Sequence, residues 1–197
     1  MDENRLEELL SEMERFGIEN DAQVTTRSLK MRNITRETGG FLLLLLRAVQ
    51  ARRVLEIGTS NGYSTLWLAR AVQPLSGRVT TIDHAADKVA MARRNLETAQ
   101  MQSQVEQVQA EAGEWLKQQR PAAFDFIFLD SERDEYVAWW EDLRRVLAPG
   151  RLLVADNAFS HEKELMPFFQ AVHSTPGYIT TRVNVGKGEF LALKPME

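Results

Sequence analysis

Apolar positions first recur at helical spacing, with Leu6, Leu9, Leu10 and Met13 on one side of residues 2–15, which predicts an amphipathic helix. Residues 17–36 are mixed and polar with no clear period, as in a connecting segment or a lid. Thr35-Arg36-Glu37-Thr38 then opens a leucine-rich helix over 37–50. Its acidic Glu37 falls in the first turn, where the helix dipole favours negative charge. The run 41–46 is the longest apolar stretch. A bilayer takes about 20 such residues, so the run predicts a buried helix and not a membrane span. It also suits packing against a second copy of the chain.

From residue 53 the pattern changes. Short β-like runs at 53–57, 79–83, 105–109, 124–129 and 152–155 alternate with helical stretches at 62–73, 86–100, 112–119, 135–147 and 161–173. This alternation predicts a parallel sheet with helices on both faces. Runs 124–129 and 152–155 are nearly continuously apolar, as central parallel strands are. Runs 178–185 and 189–193 flank Gly186-Lys187-Gly188, a hairpin signal. The fold class is α/β: a mostly parallel seven-stranded sheet, helices on both faces, and a C-terminal antiparallel hairpin. One domain is expected over 1–197, with 1–36 as helix and connecting segment and 37–197 as the core.

Composition narrows the chemistry. Of 197 residues, 44% are apolar and 26% charged, the balance of a folded globular chain. The sequence has no cysteine, which excludes disulfides, thiolate metal sites and a cysteine nucleophile. That and an acidic, polar N-terminus without signal-peptide character fit a cytoplasmic location. The net charge of -4 counts against general nucleic-acid binding, which uses a basic face.

Ligands of open parallel sheets bind beyond the carboxyl ends of the strands. Glu56, Gly58 and the loop Thr59-Ser60-Asn61-Gly62 follow the first run, and Asp83 ends the second. Glu111 follows the third, Asp130 ends the fourth, and Asp156-Asn157 ends the fifth. Singly, each acid reads as a helix cap or a surface charge. Together they gather acidic groups at one sheet edge. The glycine loop lacks both Gly-x-Gly-x-x-Gly and the lysine of a phosphate-binding loop, so nothing in it is tailored to a pyrophosphate. A ligand with an amino-acid end and a ribose suits it better. The helix N-terminus and Ser64 can hold a carboxylate, and an acidic side chain can accept from an ammonium. Asp83, 25 residues after Gly58, can take both ribose hydroxyls.

The stretch Val54-Leu55-Glu56-Ile57-Gly58-Thr59-Ser60-Asn61-Gly62-Tyr63-Ser64 resembles the first motif of class I S-adenosylmethionine-dependent methyltransferases. Its Gly-Tyr-Ser ending resembles the catechol and caffeoyl-coenzyme A O-methyltransferase branch. Phe124-Asp125-Phe126-Ile127-Phe128-Leu129-Asp130 is similar to that branch's fourth-strand motif. Leu147-Ala148-Pro149-Gly150 followed by Arg151-Leu152-Leu153-Val154-Ala155-Asp156-Asn157 is similar to its fifth. The likeness covers about residues 30–195. It implies a Rossmann-like sheet and a transfer of methyl from S-adenosyl-L-methionine to a hydroxyl of a small-molecule acceptor. It also implies that Met31, Glu56, Gly58, Tyr63, Ser64, Asp83, Glu111, Ala112 and Asp130 bind the cofactor. Asp130, Asp156 and Asn157 would hold a divalent cation. Two carboxylates and an amide oxygen form a hard, oxygen-only set suited to Mg²⁺, Mn²⁺ or Ca²⁺.

One position departs from the family. Where it usually carries a lysine able to act as base, this chain has Arg133. A guanidinium stays protonated and cannot accept the acceptor's proton, although it can orient an anionic substrate. His161 or Glu132 could be the base, or the metal could make one unnecessary. His161 reads equally as an ordinary helix-start residue. Trp115, Trp139 and Trp140 are expected to pack on the sheet, with one of the adjacent pair meeting solvent or a partner. Arg93-Arg94 and Arg144-Arg145 read as solvated faces. A homodimer is expected, with no membrane or nucleic-acid partner. Three rival readings remain: a metal-independent methyltransferase, a nicotinamide-dependent oxidoreductase lacking the third glycine, and a silent cofactor-binding module.

Overall fold

The computed structural model describes residues 3–197. Met1 and Asp2, the latter at the start of the first expected helix, lie outside the described residues. Helix α1 runs Glu3–Gln23, well past the expected end at residue 15. Its buried stripe Leu6, Leu10, Met13 and Gly17 carries the helical period onward, while the polar residues that obscured the pattern face out. The connecting segment therefore starts only after Gln23. Asp21, near the helix end, accepts from the backbone N–H groups of Met31 at 2.6 Å and Arg32 at 2.8 Å. This ties the returning chain down.

Helix α2 spans Arg36–Ala48, with Thr35 accepting from the Thr38 N–H at 3.1 Å as its N-cap. Leu42 and Leu46 are fully buried but Leu44 is 64% exposed. The leucine run is thus a one-sided helix and not an all-round buried one.

The strands are β1 (Arg53–Ile57), β2 (Arg78–Asp83), β3 (Val105–Gln109), β4 (Phe124–Leu129), β5 (Leu147–Asp156), β6 (Ile179–Val183) and β7 (Glu189–Leu193). They form one sheet of order β3-β2-β1-β4-β5-β7-β6. The first five are parallel, and β7 is antiparallel to both β5 and β6. Strand β5 is longer than the expected 152–155. Leu147 pairs with Phe124 and Leu152 with Phe126, so the Ala148-Pro149-Gly150-Arg151 stretch bulges within the strand instead of forming a separate turn.

Helices α3 (Tyr63–Val72), α4 (Ala86–Thr98), α5 (Ala112–Lys117), α6 (Tyr136–Val146) and α7 (Glu162–His173) cover the sheet. Strand alternation separates two cores. Val54, Phe126, Phe128 and Val154 face Leu42, Leu46, Leu66 and Leu96. Leu55, Ile127, Leu129 and Leu153 face Leu116, Tyr136, Leu143 and Phe168.

The Trp139-Trp140 pair forms no exposed patch. Trp140 is buried and its indole N–H donates to Thr175 Oγ1 at 2.9 Å. Trp139 is half-buried beside Tyr136. Arg145 is not a free surface charge either, because it pairs with Asp142 and donates to the Gln119 and Leu116 carbonyls at the end of α5. No helix among the described residues is long and apolar enough to cross a membrane.

Candidate active site

The strand order reverses between β1 and β4, and their carboxyl ends open into a cleft of about 1400 Å³. A drug-sized ligand takes about 300–1,000 Å³, so this volume has room for a cofactor and an acceptor together. Met31, Gly58, Tyr63, Ser64, Asp83, Glu111, Ala112, Asp130, Asn157, Arg133 and His161 all line this cleft. Glu56 and Asp156 do not line it.

At one end sits the loop after β1. Gly58 has φ +109°, and a Cβ there would lie 2.1 Å from the Asp130 carbonyl oxygen. Only glycine fits this crossing of the two central strand ends. Gly62, at φ +85°, caps α3 in the left-handed region. Asp83 receives the Ser60 N–H and the Ala85 N–H, both at 2.9 Å, and this fixes its carboxylate at the end of β2. Met31 is 5% exposed, and its carbonyl accepts from Ser60 Oγ at 2.8 Å.

Glu56 has no exposed surface. Its oxygens accept from the hydroxyls of Ser64, Thr65 and Thr81. Burial pushes its carboxyl up to about 7, although the three hydroxyl donors hold it down. Glu56 therefore acts from beneath, holding Ser64 at the start of α3. Thr81 in turn bonds Thr59 at 2.6 Å, which steadies the glycine loop.

At the other end Asp130 and Asp156 terminate the neighbouring strands β4 and β5. The Asn157 amide nitrogen donates to Asp130 Oδ1 at 3.2 Å and Asp156 Oδ2 at 2.9 Å, so one amide bridges both carboxylates. Asn157 holds φ +71°, a conformation uncommon outside glycine. Burial raises both carboxyls, and Asp156 raises Asp130 further by like-charge repulsion. Asp156 Oδ1 is buried without a hydrogen-bond partner. Two adjacent carboxylates and an amide form an oxygen donor set that fits a hard cation. Among the described residues no three His, Cys, Asp or Glu side chains form a metal-holding group, so a cation would rest on these two carboxylates and the amide.

Sequence reasoning missed Glu189. It is fully buried, stands opposite Asp156 in the β5–β7 ladder, and accepts from Thr38 Oγ1 at 3.0 Å. Burial and the facing Asp156 push its carboxyl up. The sequence signal was an acidic residue opening an otherwise apolar strand.

Arg133 is only 8% exposed, and its Nε donates to Glu164 at 2.8 Å. Arg27 pairs with Glu132 at 2.7 Å. His161 Nδ1 bonds Ser160 Oγ at 2.9 Å, and Ser160 Oγ donates to Asn157 Oδ1 at 3.2 Å. Burial and the nearby Arg133 charge lower the His161 imidazole pKa. Lys187, also unremarked as a site residue in the sequence, reaches the same end of the cleft.

The glycine loop, the acid at the end of β2 and the switch-point cleft define the Rossmann-like class of fold. The sequence model of the O-methyltransferase family matches residues 5–172, and the chain belongs to that family. It is 36% identical over 136 residues to a catechol O-methyltransferase of Niastella koreensis, a match covering 68% of this chain and 61% of that one. It is 40% identical over 124 residues to a catechol O-methyltransferase of Mycobacterium tuberculosis, covering 63% and 56%. The matches thus span about three fifths of those relatives' lengths. An O-methyltransferase from Bacillus cereus, solved with S-adenosylhomocysteine, superimposes with a TM-score of 0.78 at 27% identity, over 98% of this chain and 92% of that one.

Proposed function

We propose that this protein transfers a methyl group from S-adenosyl-L-methionine to a hydroxyl of a small acceptor, with a divalent cation assisting. One observation carries the reading. The Gly58 loop and the Asp130–Asn157 end line one cleft, and the Asp130 carbonyl lies against Gly58. A methyl donor seated on the loop is thereby next to the carboxylate end. The catechol O-methyltransferase relatives and the neighbour solved with S-adenosylhomocysteine support the same assignment.

In this reading Asp83 accepts from the ribose hydroxyls, Ser64 and the α3 N-terminus take the amino-acid end, and Met31, Tyr63 and the Glu111-Ala112 turn line the rest. Glu56 acts through Ser64. Asp130, Asp156 and Asn157 would hold the cation, which when bound lowers the pKa of an acceptor hydroxyl. Arg133, pinned by Glu164, orients the acceptor by charge. His161 stands at the acceptor end as the side chain able to take a proton. A metal-independent transfer is the second reading. It is favoured by the Asn157 amide, which already bridges both carboxylates.

Calorimetric titration tests the cofactor assignment. S-adenosylhomocysteine should bind and NAD should not. Asp83→Ala should weaken binding by about 1–3 kcal/mol, the scale of hydrogen bonds to a charged group. Unchanged affinity in that variant would remove Asp83 from the site.

A further inference from the structure

The acceptor end of the cleft holds several charged side chains, and most are already engaged. Arg133 is paired with Glu164, and Arg27 with Glu132. Lys187 differs. It lines the cleft with Asp130, Asn157 and His161, and it makes no ion pair among the described residues. Its ammonium has one long contact, 3.4 Å to the Asn33 carbonyl.

Lys187 is also held firmly by its backbone. Its carbonyl accepts from the Phe159 N–H at 3.2 Å and the Ser160 N–H at 3.1 Å, so the β6–β7 turn is pinned to the loop that follows Asn157. The flanking glycines let the turn sit there. A Cβ on Gly186 would meet the Thr38 and Thr35 hydroxyls at 2.3 and 2.5 Å. A Cβ on Gly188 would meet the Phe159 ring at 2.4 Å. Both glycines have positive φ. The turn is thus wedged between the start of α2 and the β5–α7 loop, and it carries an uncommitted cation to the carboxylate end.

We propose that Lys187 is a catalytic group of this site, a fixed positive charge that receives the acceptor oxygen as it ionises. The inference rests on the methyltransferase reading above. The acceptor O–H bond breaks and its proton passes to the His161 imidazole and from there to water. The oxygen's electron pair forms the O–CH₃ bond, the S–CH₃ bond of the sulfonium donor breaks, and its pair stays on sulfur as a neutral thioether. Lys187 acts on the first part by stabilising the oxyanion, which a preorganised cation in a secluded site does strongly. Arg133 is bound to Glu164, and Lys187 is the unpaired side-chain cation whose backbone is fixed to the loop after Asn157.

The test uses 4-nitrocatechol, whose ionised form absorbs at longer wavelength than its neutral form. With the wild-type protein, S-adenosylhomocysteine and Mg²⁺, the bound probe should ionise at a lower pH than in solution. Lys187→Met and Lys187→Gln should raise the bound probe's pKa by about one unit or more, the usual effect of losing a neighbouring opposite charge. Lys187→Arg should restore it. Methyl transfer to catechol, with its more basic hydroxyls, should fall about 100-fold in Lys187→Met. Transfer to 4-nitrocatechol should fall much less. Retained S-adenosylhomocysteine affinity shows that the variants are folded.

An unchanged probe spectrum and unchanged transfer in Lys187→Met overturn the proposal while leaving the methyltransferase reading intact. Loss in Lys187→Met without rescue in Lys187→Arg overturns the fixed-charge role. A wild-type protein that neither binds the probe nor methylates any catechol overturns both.

Discussion

The carbonyl oxygen of Asp130 occupies the space where a Cβ on Gly58 would stand, 2.1 Å from it. This crossing joins the cofactor loop after β1 to the acidic end of β4. It also fixes the spacing between the two halves of the cleft.

Gly58→Ala should therefore be severe. The alanine must adopt a left-handed φ and displace main chain, not a flexible side chain. Together these should cost about 2–4 kcal/mol in denaturant unfolding, with S-adenosylhomocysteine binding lost. Gly40→Ala is the matched control. Its Cβ meets nothing within 4 Å in helix α2, and it should stabilise by about 0.5–1 kcal/mol.

Glu56 makes a pH prediction. Its carboxyl is raised from 4.5 to about 7, so the folded protein holds a proton there that the unfolded chain has released. Stability from this group is full below about pH 4.5 and is lost as pH rises to about 7. Glu56→Gln keeps an oxygen for the hydroxyl donors but cannot ionise. Its unfolding free energy should fall less steeply than wild type between those pH values. Parallel curves for the two proteins would count against a protonated Glu56.

Much of this was legible in the sequence. The parallel strands stood out because their apolar runs are short and bounded, and β1, β3, β4 and β7 fall where the pattern puts them. The cleft residues were legible because strand ends must face it. Glu56 was placed in the cofactor site, yet it lies beneath it. Strand alternation in Arg53-Val54-Leu55-Glu56-Ile57 puts it on the face of Val54, under α3, and that signal was available. Lys187 and Glu189 were not legible as site residues. Their position depends on β7 pairing with β5, a contact between strands distant in sequence. The end of α1 was hidden because its last turns bury no apolar side chain: Ile18 faces out and the rest, Ala22 apart, are polar.

Arg133 should not limit the chemistry. It is bound to Glu164 and barely exposed, and the proposed reading makes it a positioning charge. Arg133→Lys should leave the maximal rate within about tenfold, or 1.4 kcal/mol of barrier. Arg133→Ala should mainly raise the Michaelis constant for an acidic acceptor. A lysine variant hundreds of times faster would show that a base was missing.

The carboxylate pair predicts metal dependence. Chelator should suppress methyl transfer, and Mg²⁺ or Mn²⁺ should restore it. Asp156→Ala should behave like chelated wild type and should no longer respond to added metal. Full activity in chelator would favour the metal-independent reading.

The most direct test is transfer of a labelled methyl group from S-adenosyl-L-methionine to a panel of catechols and other vicinal hydroxyl compounds, with Mg²⁺ present. A labelled methyl ether and an equal amount of S-adenosylhomocysteine are the expected products. If no acceptor in the panel gains the label while S-adenosylhomocysteine still binds, the O-methyltransferase account is contradicted.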